Sequence, residues 1–224
     1  MKHRNSHFAV GYWSRLRRGR ATPDQADIDP KALKRVLPYI FLIDARPEAS
    51  LAYRLAGTGL CERFGQELRG RSFLSQWDPE SRSALTALLR QSLRTRQPVC
   101  LTSIAATDDC RMVELEIVLM PISFGGKEPE RFLGVVQFLS DLSAVGGKPF
   151  AFQRLVASSL IQEDEAVMNS DVTPPAPPSE PARQPQARAS HLRLVVSREG
   201  SAPLRRDPAM TMKQLFGWFA PASA

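Results

Sequence analysis

LAYRLAGTGLCERFGQELRGRSF, residues 51 to 73, changes its hydrophobic period partway along, and that change indicates the fold class. Leu51, Tyr53 and Leu55 alternate with Ala52 and Arg54, the period-2 pattern of a half-buried strand. Gly57 breaks the strand, and Thr58 is placed to cap a helix. Leu60, Cys61 and Phe64 then put apolar groups on one side of about two helical turns. Gly65 stops the helix, and Gly70 marks a second turn before Phe73. A strand feeding a short helix and a glycine-punctuated loop belongs to an α+β domain.

Upstream, Tyr39-Ile40-Phe41-Leu42-Ile43-Asp44 is a continuous apolar run suited to a strand buried on both faces, and Arg46-Pro47-Glu48 turns it into the next strand. Asp29 and Pro30 form an N-cap and first-turn pair for a short helix whose Leu33, Val36 and Leu37 end at Pro38. Residues 7 to 18 read as a helix, with Phe8, Tyr12 and Leu16 on one stripe and Trp13 beside them. Downstream, Asp78-Pro79-Glu80 opens a longer helix carrying Leu85, Leu88 and Leu89. Val99 to Thr107 reads as a strand, closed by the Asp108-Asp109 turn.

In the next strand, Met112 to Ile122, residues Val113, Leu115, Ile117 and Leu119 make one face, with Glu114 and Glu116 on the other. That second face is read as solvated at the glutamates and apolar again at Val118 and Met120, where the aromatic N-terminal helix is the candidate cover. Gly125-Gly126-Lys127 supplies a turn, and Arg131 to Leu139 is the final strand. The pattern predicts two strands, helical crossover material and three more strands: a five-stranded mixed or antiparallel sheet with helices on one face, plus an N-terminal helix.

At 224 residues with 43% hydrophobic content, the chain is expected to hold one core with tails. The expected divisions are a basic helical leader over 1–37 that packs on the core, a domain over 38–145 and a helical extension over 146–165. After these come a disordered proline-rich linker over 166–190 and a tail over 191–224. The tail reads as a short strand at Leu192 to Val196 and an amphipathic helix from Asp207, with Leu215, Phe216 and Phe219 on one side as partner-binding candidates. With no long apolar run and no apolar centre in MKHRNSHFAVGYW, a cytoplasmic protein without a transmembrane segment is expected. Cys61, Cys100 and Cys110 lack CxxC spacing, so no disulfide framework or zinc site is expected.

The net charge is +7, yet residues 38–148 hold 13 Lys and Arg against 13 Asp and Glu. Residues 1–37 hold 9 against 3, with Arg15, Arg17, Arg18 and Arg20 clustered. The basic character belongs to the leader, so nucleic acid is not the expected partner. His3, His7 and His191 all lie outside the core, which leaves Ser-His-Asp or Cys-His catalysis without its base. GxxxxGK[ST], HExxH and GxSxG are absent from the sequence. No catalytic residue, metal or cofactor is expected.

Arg54-Leu55-Ala56-Gly57-Thr58, followed by Phe64-Gly65-Gln66-Glu67-Leu68 and Gly70, resembles the strand-helix-loop entry of PAS domains. Trp13, Leu16, Arg17, Gly19, Arg20, Pro23, Ala26-Asp27-Ile28-Asp29-Pro30 and Leu37-Pro38 resemble the lead-in of an alphaproteobacterial family of single-PAS proteins, once catalogued as a domain of unknown function. The resemblance spans about residues 10 to 141 and implies the PAS sheet and its ligand pocket. By strand parity and the family's pocket position, the lining candidates are Tyr53, Leu55, Leu60, Phe64 and Phe73, then Leu115, Ile117, Val135 and Phe138, around a small apolar ligand or a solid core.

Light-sensing PAS domains place a flavin-reactive cysteine in GxNCRFLQ; here Gly59-Leu60-Cys61-Glu62-Arg63-Phe64-Gly65-Gln66 lacks the asparagine, so Cys61 is expected to be a packed thiol. PAS domains often dimerise through a leading helix, a use that Phe8, Tyr12 and Trp13 would suit. The function expected is a non-catalytic sensory and protein-interaction module acting by association with a partner or with itself. The alternatives are a regulator binding nucleic acid or an anionic surface through the leader, and a small-molecule enzyme acting in the cavity.

Overall fold

The computed structural model describes residues 1–46, 50–126 and 128–162. The expected linker over 166–190 and the tail, with Leu215, Phe216 and Phe219, lie outside the described residues. Three α-helices, α1 (Arg4–Arg17), α2 (Thr58–Phe64) and α3 (Pro79–Thr95), accompany strands β1 (Ile40–Asp44), β2 (Ala52–Ala56), β3 (Val99–Thr107), β4 (Met112–Ser123), β5 (Pro129–Phe138) and β6 (Phe150–Leu160). The strands form one sheet in the order β2-β1-β5-β4-β3-β6, and every neighbouring pair is antiparallel. No described helix is long and apolar enough to cross a membrane.

The sheet has one strand more than expected, and the strand replaces the helical extension predicted over 146–165. Two register shifts in the β3–β6 ladder, at Thr102/Ser103 and Ala106/Thr107, break the alternation of FAFQRLVASSL and hide it from a period-2 search. The short helix predicted after Asp29-Pro30 is also absent. Asp29 does accept a bond from the Lys31 N–H at 2.9 Å, but the next turns close i to i+3, from Leu33 N to Pro30 O at 3.1 Å and Val36 N to Leu33 O at 2.9 Å. A 3-10 turn over Leu37–Tyr39 holds Pro38 and keeps Tyr39 out of β1.

Both faces of the sheet carry a core. On one side, α2 and α3 bring Leu60, Phe64, Leu85 and Leu89 against Phe41, Tyr53, Val113, Leu115, Ile117 and Leu119. On the other side, α1 lays Ala9, Val10, Tyr12 and Trp13 onto Leu42, Val118, Met120, Ile122, Leu133 and Val135. The apolar half of β4's second face is therefore covered by the aromatic N-terminal helix, as its sequence predicts. Ile28, Leu33 and Val36 close the side of this layer.

Three polar contacts set the position of α1. The fully buried Trp13 donates from Nε1 to Pro121 O at 2.7 Å, and the Tyr12 hydroxyl accepts from Asp29 N at 2.8 Å. At the helix start, Glu116 accepts the backbone N–H of Lys2 and of His3, the latter at 2.9 Å. Glu116 is 1% exposed, which corrects its reading as a solvated surface residue. Burial alone would raise its pKa; the Ser6 side chain and the donated N–H groups of Lys2 and His3 outweigh that and lower it. Glu114 stays partly exposed and pairs with Lys2 at 2.8 Å.

The packed interior and the open strip of the sheet

The strand-helix-loop segment from Leu51 to Phe73 reaches its place through close backbone contacts. Gly57 N donates to Ile40 O at 2.7 Å, and a Cβ at Gly57 would sit 2.4 Å from the Leu37 and Pro38 carbonyl oxygens. Gly57, not Thr58, is the N-cap of α2, and its cap uses no side chain; Thr58 is the first helical residue. Gly65 ends the helix in the left-handed conformation, and Gly70 N returns to Tyr53 O at 2.8 Å.

Between the sheet and α2–α3 the space is taken by rings. Phe41 stacks on Phe73 with centroids 5.8 Å apart, Tyr53 meets both edge-on at 5.6 and 5.9 Å, and Phe73 continues to Trp77 at 5.6 Å. The Tyr53 hydroxyl donates to Gln76 Oε1 at 2.9 Å, and burial pushes its pKa far up, so it stays a neutral donor. Phe41 lies over Gly134 of β5, where a Cβ would come within 2.1 Å of the ring. Gly134→Ala is accordingly expected to destabilise the protein by about 1 to 3 kcal/mol through overpacking, and adding Phe41→Leu should recover part of that loss in urea denaturation.

Of the predicted lining residues, Tyr53, Leu60, Phe64, Phe73, Leu115 and Ile117 come together in this layer, and Phe138 packs at its margin, edge-on to Tyr39 at 5.1 Å. Leu55 and Val135 do not; both belong to the layer under α1. Leu42 pairs with Leu55 but Ile43 pairs with Tyr53, so Arg54 is an extra residue that turns Leu55 to the opposite face from Tyr53. From Phe132 to Val136 both faces of β5 are buried and apolar, which leaves the parity of Val135 unreadable from its neighbours. Cys61 is partly buried, with Sγ 3.8 Å from Glu67 Oε1; burial, with Glu67 adding to it, pushes the thiol pKa up.

The predicted dimer-forming rings are mostly spent inside the chain. Trp13 is 1% and Tyr12 8% exposed, and Phe8 lies half-buried beneath the Arg35 guanidinium at 5.3 Å. At the other end of the sheet is a charged cluster that the sequence pattern does not announce. Asp44, fully buried at the end of β1, accepts from Arg46 (Nη2 at 2.7 Å) and from Arg54 (Nε at 2.9 Å, Nη2 at 2.7 Å). Burial works to raise the Asp44 pKa, but the two guanidiniums overcome it and hold the carboxyl at about 2. Arg131 pairs with Asp44 across the β1–β5 ladder, donates to Gln25 Oε1 at 2.7 Å and stacks on Phe124 at 3.5 Å. A carboxylate at the end of an apolar run with an arginine close behind it is the one trace of this cluster in the sequence, and Arg54 arrives only through the hairpin.

The described residues leave a strip of the α1-side face open beyond the helix. The register places Met112, Ala106 and Phe152 in one row across β4, β3 and β6, and Glu114, Ile104 and Arg154 in the next. Met112 is 64% and Phe152 46% exposed, and Val156 nearby is 57% exposed. A separate cleft, lined by Arg20, Thr22, Asp24, Ser123 and Gly125, holds none of the predicted lining residues.

No curated protein matches the chain. Among solved structures, it is similar to a Rhodobacter sphaeroides LOV protein, with 15% identity over 51% of this chain and 70% of that one and a TM-score of 0.39. It is also similar to the dark structure of the blue-light photoreceptor Aureochrome1 LOV, with 16% identity, coverage of 52% and 86% and a TM-score of 0.40. An RNA-binding light-oxygen-voltage receptor gives 18% identity, coverage of 53% and 35% and a TM-score of 0.39. The model of the PAS domain family matches residues 1–137, a span that begins before α1 and ends at the close of β5. With that match over more than half its length, the chain belongs to the PAS domain family.

Proposed function

We propose that the chain is a non-catalytic sensory and protein-interaction module that works by association. The observation that carries this reading is the division of its surfaces. The interior layer is occupied ring against ring by Phe41, Tyr53, Phe73 and Trp77, while the apolar side chains of Met112, Phe152 and Val156 face outward on the sheet. Signal then enters or leaves through the outer face, and a protein surface is the chemistry that an apolar strip with a charged rim accepts.

Native mass spectrometry with an absorption spectrum of the purified full chain tests the packed interior. The expected result is a mass of 24.9 kDa without adduct and a spectrum with protein absorption alone. A stoichiometric bound small molecule, with Phe41 or Tyr53 displaced, would return the domain to ligand sensing. A second reading, anionic-surface binding, rests on the exposed Arg4 and Arg15 of α1 and Arg18 at its C-cap, with the exposed Lys31, Lys34 and Arg35. It requires binding to duplex DNA or anionic vesicles that falls steeply with salt.

A further inference from the structure

We infer that the arginine corner at the end of the sheet, Arg46, Arg54 and Arg131 around Asp44, binds the phosphate group of a ligand. The inference goes beyond the association reading and does not rest on it. Residues that pair in an antiparallel ladder share a face, so Asp44 of β1 and Arg131 of β5 stand side by side, with Cβ atoms about 5 Å apart. Arg54 reaches the same carboxylate from β2, with Nε 2.9 Å and Nη2 2.7 Å from Asp44 Oδ2. Arg46 reaches it from the residues just after β1.

Donors outnumber acceptors in this corner. Asp44 Oδ1 accepts from Arg46 N at 3.2 Å and Arg46 Nε at 3.0 Å, and Oδ2 accepts Arg46 Nη2 and both Arg54 donors. A carboxylate offers about four lone-pair sites, so two arginines already fill it. Arg131 is left with Gln25 Oε1 at 2.7 Å. Its Nε is buried and has no acceptor among the described residues, in a residue only 9% exposed. A buried N–H in that condition is what a bound oxygen satisfies. Charge points the same way: three guanidiniums surround one buried carboxylate, and Glu130, beside Arg131 in the chain, acts on it less than Arg54 or Arg46 does.

The corner is open where a ligand would enter. Arg54 and Arg46 are 49% and 36% exposed, and Asp44 beneath them fixes where their guanidiniums lie. Arg131 lies deeper, stacked on the Phe124 ring at 3.5 Å. Guanidinium forks match the oxygens of a phosphate, and a tetrahedral oxyanion has enough of them to accept from all three arginines at once. A soluble phosphoester and a lipid headgroup both present that group.

The test titrates inorganic phosphate into the full chain at constant ionic strength and follows the arginine Nε–H signals by heteronuclear NMR. The Arg131 signal, identified by its loss in Arg131→Lys, should shift saturably with phosphate and stay still with chloride. Arg54→Gln should weaken binding about tenfold or more, and Arg90→Gln on the exposed side of α3 should leave it unchanged. A thermal melt matching the parent shows that the Arg54→Gln fold is kept; if it is not, Arg54→Lys, which keeps the charge and loses the fork, carries the same expectation. Phosphatidylcholine vesicles with and without phosphatidic acid distinguish the sources. Capture by the phosphatidic acid vesicles that Arg54→Gln abolishes places the phosphate on a lipid, and binding of free phosphate without capture places it on a soluble ester; both uphold the site.

An Arg131 signal that never saturates, or that answers chloride as it answers phosphate, overturns the inference, as does an affinity indifferent to Arg54→Gln. Glu48 lies outside the described residues, between Arg46 and Arg54 in the chain. Binding that appears only in Glu48→Gln would assign the corner to the chain's own carboxylate and overturn the inference too.

Discussion

Trp13→Ala is expected to cost about 3 to 5 kcal/mol of folding stability, a large share of the ~5 to 15 kcal/mol that holds an ordinary domain together. The indole is 1% exposed, packs under α1 against the second face of the sheet and carries the 2.7 Å bond to Pro121 O. Alanine removes the ring, leaves a cavity and strips that carbonyl of its donor. Trp13→Phe keeps most of the apolar contact and loses the bond, so it should cost about 1 to 3 kcal/mol. Urea denaturation measures both. A Trp13→Ala chain as stable as the parent would mean that α1 is an appendage and not one of the layers of the fold.

Asp44→Ala should cost about 2 to 3 kcal/mol. Removing one partner of a buried ion pair usually costs more, but Arg46 and Arg54 are 36% and 49% exposed and can turn toward water. The same carboxylate sets an acid limit. Its pKa is lowered from 3.8 to about 2 in the folded state, so its contribution is complete above about pH 4 and is lost as pH falls through about 2. The shift corresponds to at most roughly 2 kcal/mol. Denaturation midpoints should therefore fall more steeply between about pH 4 and 2 in the parent than in Asp44→Ala. Equal slopes would mean that Asp44 plays no part in acid stability.

The parts of the fold that keep a clean period are visible in the sequence. Tyr53, Gly57, Phe64 and Gly65 announce a strand, a break, a short helix and its end, and each stands where that pattern puts it. Val118 and Met120 announce a covered second face, and α1 covers it. What escaped are the places where one extra residue shifts the alternation. The bulge at Arg54 sends Leu55 to the opposite side from Tyr53, and two shifts along β6 disguise a strand as a helix. Strands buried on both faces hide parity for another reason: from Phe132 to Val136 the positions of β5 suit either side, which misplaced Val135. Glu116 escaped because the groups that bury it, the N–H donors of Lys2 and His3, lie more than a hundred residues away. The packed interior was legible as apolar spacing, but whether rings or a ligand fill it depends on contacts such as Phe41 over Gly134, which join β1 to β5 across the chain.

If this PAS domain acts through the outer strip of its sheet, a photocrosslinking amino acid at position 152 of the full chain should capture protein in the native cell. The same group at the exposed Arg90 of α3 serves as reference. Discrete crosslinked protein species are expected at position 152 and none at position 90. Equal yields at the two positions, or none at 152 while the protein is folded and abundant, would contradict action through the strip.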